Sequence, residues 1–202
     1  MKHTERIGIF GGAFNPPHMG HERLVRSAAD RLLLSRLYII PTAFSPHKST
    51  AEFASGDDRL ALCRLTFSDM RCEISDLELR RGGVSYTVDT LRTLRRKHPE
   101  AEIFLLVGGD MLASFHSWKD YGEILQMATL CVMRRTQEAL PENPHFTQEQ
   151  REKVLFLDAP PLVISSTEIR LRCAQGEDIT HFVCSAVAQY IRERGLYGAT
   201  KY

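Results

Sequence analysis

The chain has 202 residues, 43% of them hydrophobic and 25% charged, with 26 Lys and Arg against 25 Asp and Glu for a formal net charge of +1. This length and composition fit one soluble domain, residues 1–202, large enough to bury a core without disulfide or metal staples. The charge balance excludes holding DNA or RNA by bulk attraction, which needs a basic footprint, but not a small phosphorylated ligand served by a few placed donors.

In chain order, Ile7, Ile9 and Phe10 predict a short buried strand entering a tight turn at Gly11-Gly12. Val25, Ala28, Ala29 and Leu32 recur at helical spacing and predict a helix from His18 to about Leu34. A second strand is expected at Leu37–Pro41. A polar loop carrying Pro46-His47-Lys48 follows, then a helix from Asp57 to about Met70 whose leading acids complement its dipole. Cys72–Leu79 reads as one or two short strands, Arg81-Gly82-Gly83 as a turn and Thr87–Lys97 as a helix with Val88, Leu91 and Leu94 on one face. The clearest buried strand is Ile103–Val107, stopping at Gly108-Gly109-Asp110. A helix is predicted at Tyr121–Met127, with strands at Thr129–Met133 and Val154–Leu157. The end, about 165–202, reads as helical, with Ser165–Cys173 and Val183–Arg194, the last closed by Gly195.

The alternation predicts an α/β, Rossmann-like doubly wound parallel sheet with helices on both faces and a short C-terminal helical part. Ligands of such folds sit at the carboxyl ends of the strands, which brings Gly11–His21, Thr42–Lys48 and Gly108–Trp118 together. Five cysteines, an odd number without C-x-x-C spacing, exclude a disulfide framework and a zinc ribbon and point to a reducing cytoplasm. No apolar run approaches the ~20 residues of a membrane span, and no apolar signal region follows Met1–Arg6.

The sharpest chemical signal runs from Gly8 to His21: strand, two glycines, the proline-stiffened Ala13-Phe14-Asn15-Pro16-Pro17, then a helix start. Gly11 and Gly12 let backbone approach a ligand. His18 and His21, three apart, share one face of the first helical turn, where amides and the helix dipole suit phosphate. Two incidental histidines on a capped helix, or a metal pair, compete for an isolated His-x-x-His. The preceding strand and glycines favour phosphate. The glycine spacing is not that of a dinucleotide fingerprint, and no Walker G-K-[ST] is present. Ser165-Ser166-Thr167-Glu168-Ile169-Arg170 is a second polar helix start, able to hold phosphate oxygens or simply to form a Ser165/Glu168 capping box.

Gly11-Gly12-Ala13-Phe14-Asn15-Pro16-Pro17-His18-Met19-Gly20-His21 resembles the G-G-x-F-x-P-x-H-x-G-H signature of bacterial nicotinate mononucleotide adenylyltransferases, within the nucleotidyltransferase superfamily. Ile164–Arg170 resembles the second signature of that family, I-S-S-T-x-I-R. The resemblance implies adenylyl transfer from ATP to nicotinate mononucleotide, with Mg²⁺ held mainly by the ATP phosphates and no dedicated protein metal site. It implies that His18 and His21 hold the α-phosphate and Arg170 the departing pyrophosphate. Gly11, Gly12, Ala13, Phe14, Lys48, Gly108, Asp110, Ser165, Ser166 and Thr167 then line the ATP side. Thr87, Trp118 and Arg134 serve the mononucleotide, Trp118 by stacking on the pyridine ring. Two departures stand out: Arg134-Arg135 is followed by Thr136-Gln137 rather than Pro-Gly, and Lys119 replaces the tyrosine that commonly follows the tryptophan. Nicotinamide mononucleotide, or both mononucleotides, is the alternative substrate. A non-catalytic nucleotide sensor is the alternative from another class. A homo-oligomer is left open; no nucleic-acid or membrane partner is expected.

Overall fold

The computed structural model describes residues 4–44, 54–135, 143–159 and 164–199. Six strands form one sheet: β1 (Arg6–Gly12), β2 (Arg36–Pro41), β3 (Glu73–Ile74), β4 (Glu102–Gly108), β5 (Thr129–Arg135) and β6 (Val154–Ala159). Every pairing is parallel, in the order β3-β2-β1-β4-β5-β6. The order reverses between β1 and β4, and there the strands part. β1 pairs with β4 only from Arg6 to Ile9, whereas its pairing with β2 continues to Gly12 opposite Pro41. The carboxyl ends of β1 and β4 therefore flank a crevice at the topological switch point, the usual ligand position in open α/β sheets.

The helices are α1 (Met19–Arg31), α2 (Gly56–Thr66), α3 (Leu77–Arg81), α4 (Thr87–Lys97), α5 (Gly109–Ser114), α6 (Tyr121–Met127), α7 (Gln148–Glu152), α8 (Ser166–Ala174) and α9 (Ser185–Arg194), with 3₁₀ turns at Phe115–Ser117 and Leu196–Gly198. Strands buried on both faces explain the apolar runs. On one face Ile7, Ile9, Ile103, Leu105 and Val107 pack against Val88, Leu91 and Leu94 of α4 and Ile124 of α6. On the other, Phe10, Ile39, Phe104 and Leu106 pack against Val25 and Ala28 of α1. A third cluster joins Leu62 of α2 to Ile169 of α8 and to Val187 and Ile191 of α9, seating the C-terminal helices on the sheet's helical layer. Asp58 locks that junction: buried at the start of α2, it accepts from Ser55 Oγ at 2.6 Å, Tyr190 Oη at 2.9 Å and Arg194 Nε at 3.1 Å.

The amino end of the sheet is closed by a ring of polar side chains. Arg36 Nε donates to Glu5 at 3.0 Å, and the other Glu5 oxygen meets His98 Nδ1 at 3.0 Å. His98 Nε2 and Lys97 Nζ each lie 3.0 Å from the buried Tyr38 hydroxyl. Glu73 completes the circuit, 3.8 Å from Lys97 and 3.6 Å from Arg36.

Three local expectations are corrected. Gly11 and Gly12 are the last residues of β1 rather than a turn; the chain turns at Phe14, whose φ is 47°. Only Glu73–Ile74 of 72–79 is strand, and Leu77–Arg81 is helix, because β3 pairs with β2 at two positions alone before the chain leaves the sheet edge. A helix at Gly109–Ser114 follows β4 directly where only a stop was expected.

Candidate active site

His18 is the N-cap of α1, at the mouth of the crevice beside the end of β1. Its ring lies 3.7 Å, centroid to centroid, from that of His21. The backbone N–H of His18 donates to Nδ1 of His21 at 3.2 Å. That bond fixes the neutral His21 tautomer, placing its proton on Nε2, so the ring is a donor even when uncharged. Phe14 and Phe10 wedge His21 from the other side, with centroids 5.4 and 5.9 Å away. His18 is 7% exposed, and its Nδ1 is buried without a hydrogen-bond partner among the described residues. Burial pushes its pKa down to about 4, so the ligand-free ring is neutral at neutral pH. The helix end itself offers fewer amides than the sequence suggested. Met19 N–H donates to Phe182 O at 2.9 Å, and His21 N–H turns back to His18 O at 2.9 Å.

The second signature docks on the first. Ser165 is the N-cap of α8 and accepts from Glu168 N–H at 3.1 Å. The expected capping box is only half made, since the Glu168 carboxylate turns to Arg172 at 2.8 Å. Ser166 Oγ donates to Pro16 O at 2.8 Å, and Arg170 Nη1 donates to Asn15 O at 3.1 Å. Arg170 Nη2 lies 3.5 Å from Thr167 Oγ1. The loop before the histidines and the start of α8 thus form one wall, although they lie at opposite ends of the sequence.

Three supporting residues escaped sequence reasoning. Asn15 is 2% exposed; its Oδ1 accepts from Ala54 N–H and from Tyr197 Oη, both at 2.9 Å. Tyr197 lies beyond the last helix, in a 3₁₀ turn at Leu196–Gly198. Arg59 is 3% exposed and donates to Ala13 O at 2.8 Å and Ala54 O at 3.2 Å. Its neighbours Asp57 and Asp58 read as a solvated, dipole-matched helix start, which hid it. The sole usable signal was the position of Asn15 between two motif residues.

On the opposite side of the crevice, Gly108 ends β4, and Asp110 stands in the first turn of α5, whose N-cap is Gly108 and not Asp110. A Cβ at Gly108 would stand 2.5 Å from Asp110 Oδ1, so the glycine is what lets this carboxylate fold back. Thr87 is the first residue of α4, with Tyr86 as its cap, and Ser85 Oγ accepts from Ala43 N–H at 2.9 Å, tying this turn to the end of β2. Trp118 follows the 3₁₀ turn and packs on Phe115, centroids 4.9 Å apart. Arg134 is placed by its backbone near the carboxyl end of β5, opposite Asp158. Its side chain and the whole of Lys48 lie outside the described residues. Among the described residues, no group of three or more His, Cys, Asp or Glu could hold a metal ion.

The pattern of the cytidylyltransferase-like family matches residues 9–172. A nicotinate-nucleotide adenylyltransferase of Albidiferax ferrireducens is 40% identical over 197 residues, 96% of this chain and 98% of the relative. One from Halalkalibacterium halodurans is 37% identical over 195 residues, 96% of this chain and 91% of the relative. The chain belongs to the nicotinate-nucleotide adenylyltransferases. The fold of this family recurs in a nicotinic acid mononucleotide adenylyltransferase structure from Plasmodium falciparum, solved with NaAD, at a TM-score of 0.79, 18% identity and coverage of 97% and 98% of the two chains. A Vibrio parahaemolyticus nicotinate-nucleotide adenylyltransferase structure matches with a TM-score of 0.69 and 23% identity, covering 98% of each chain. No helix among the described residues is long and apolar enough to cross a membrane.

Proposed function

We infer that the chain transfers the adenylyl group of ATP to nicotinate mononucleotide, giving nicotinate adenine dinucleotide and pyrophosphate, a step of NAD biosynthesis. The observation that carries the residue-level reading is the seating of Ser166 and Arg170 on the carbonyls of Pro16 and Asn15, which gathers both phosphate-binding signatures at one sheet end. A 5′-phosphate oxygen of the mononucleotide attacks the α-phosphorus of ATP in line, and the bond from that phosphorus to the bridging oxygen breaks as pyrophosphate leaves. The nucleophile is already ionised at neutral pH, so no strong general base is required. Catalysis rests on positioning two anions and on donors aimed at the charge that develops.

His21 Nε2 donates to an α-phosphate oxygen. His18 joins it, and the nearby anion restores the proton affinity that burial removed. Arg170, with Ser166 and Thr167, receives the pyrophosphate, while Gly11, Gly12, Ala13, Phe14, Gly108, Asp110 and Lys48 line the nucleotide. Trp118 and Thr87 take the pyridine ring and its carboxylate. The donor set of imidazoles, guanidinium and hydroxyls suits phosphate oxygens rather than a dedicated cation cage, and it fits a Mg²⁺ carried on the nucleotide with Asp110 as the adjacent carboxylate. Bound there, Mg²⁺ would neutralise phosphate charge. The free thiols, with Cys63 and Cys131 buried, suit a reducing cytoplasm.

A pyrophosphate-release assay with ATP and each mononucleotide tests the reading. Release with nicotinate mononucleotide and much slower release with the amide is expected. Equal rates make the enzyme dual-specific, and ATP binding without release from either establishes the sensor.

A further inference from the structure

Arg92 has no place among the groups that touch nucleotide, yet it is the most heavily engaged cation among the described residues of α4. It donates to Asp89 Oδ1 at 2.9 Å on its own helix. Across the gap it reaches Asp120 Oδ2 at 3.4 Å and both oxygens of Glu123, with Nε to Oε1 at 2.8 Å. Asp120 is the N-cap of α6 and holds a left-handed φ of 51°, a region that Asp enters more readily than most residues with a side chain. The other Asp89 oxygen lies 4.0 Å from Lys119 Nζ, whose ammonium sits 4.6 Å over the Tyr86 ring. Residues 86–89 and 118–123 are therefore laced together by one guanidinium and one ammonium. The two segments carry Thr87 and Trp118, the pair assigned to the pyridine ring.

We propose that Arg92 is a positioning residue for the mononucleotide subsite, holding the α4 start and the Trp118 segment at a fixed spacing through Asp89, Asp120 and Glu123. The proposal rests on the reading of Trp118 and Thr87 as that subsite. Single exposed ion pairs contribute little stability, but a planar fork engaging three carboxylates fixes geometry, which a point-charge lysine reproduces only in part. Arg92 touches neither substrate. Its loss should therefore loosen one binding half and spare the ATP side.

The sole tryptophan of the chain supplies a local readout. In Arg92→Leu, KM for nicotinate mononucleotide should rise roughly tenfold while KM for ATP stays within about twofold, because displacement of a distant support acts through binding geometry. Fluorescence anisotropy of Trp118 should fall, and Arg92→Lys should recover part of both effects. An unchanged mononucleotide KM, or equal rises in both KM values, overturns the proposal. Should Arg92→Leu fail to fold, Glu123→Gln removes one anchor, and the same split is expected of it or the proposal falls. Trp118→Leu separates the two levels. If it leaves the mononucleotide KM unchanged, the subsite reading falls and the proposal with it. If it raises that KM while Arg92→Leu does not, the Arg92 proposal falls alone.

Discussion

His18 and His21 are one residue type at one helix start, yet their surroundings differ. His21 has its tautomer set by a backbone amide and its ring held by two phenylalanines. His21→Ala should lower kcat by at least ~100-fold, about 3 kcal/mol of lost transition-state contact, with the circular dichroism spectrum retained. Near-normal turnover would remove His21 from the chemistry. His18 is held neutral by burial, with a folded pKa of about 4 against an ordinary value of 6.5. Between those two values the unfolded chain binds a proton that the folded chain refuses, so stability falls as pH is lowered through this window, by at most roughly 3 kcal/mol. Urea midpoints measured from pH 7 to pH 4 should slope less steeply in His18→Gln. Nucleotide binding acts in the opposite sense: an anion at Nδ1 raises the pKa, so ATP should be taken up with a fraction of a proton. Calorimetry in two buffers of different ionisation enthalpy detects that uptake, and identical enthalpies would mean that His18 stays neutral when bound.

At the scale of elements, α8 shows two roles one residue apart. Ser165 caps the helix, and Ser166 bolts it to the first loop. Ser165→Ala should cost ~1 kcal/mol in thermal denaturation, and any loss of turnover should be far smaller than that of a residue contacting the departing charge. Arg170→Lys should do the reverse, because a lysine keeps the charge but not the fork that engages the Asn15 carbonyl and phosphate together. Two helices were legible to the residue, Thr87–Lys97 and Tyr121–Met127, whereas those read to about Leu34 and about Met70 stop earlier, at Arg31 and Thr66. The short elements were not. Leu77–Arg81 and Gly109–Ser114 span fewer than two helical turns, too few for a period to register. Gln148–Glu152 is equally short, but its start is marked in the sequence by Thr147 and Gln150, which form a reciprocal capping box. The site divides similarly. The glycines, histidines and Arg170 announced themselves as motif, whereas Arg59 holds the backbone of that motif at Ala13 and Tyr197 its Asn15 side chain from elsewhere in the sequence, a relation that no local pattern encodes.

Across the whole molecule the two ends of the sheet are specialised. The carboxyl end gathers the two signatures, and the amino end is tied by the ring through Arg36, Glu5, His98, Tyr38, Lys97 and Glu73. Tyr38→Phe keeps the ring volume but strips His98 and Lys97 of their common partner. It should lower stability by about 1–2 kcal/mol while leaving kcat and both KM values unchanged. A change in KM would mean that the two ends communicate.

The bond from Ser166 to Pro16 closes a loop of 150 residues. During synthesis the helix start bearing the histidines emerges early and the helix bearing Arg170 almost last, so the two signatures meet only when most of the chain is made. A chain cut short before α8 would therefore lack the contacts that Ser166 and Arg170 make to the first loop. The distance in sequence between the two signatures makes their meeting a late event, reached only when the elements between them are in place.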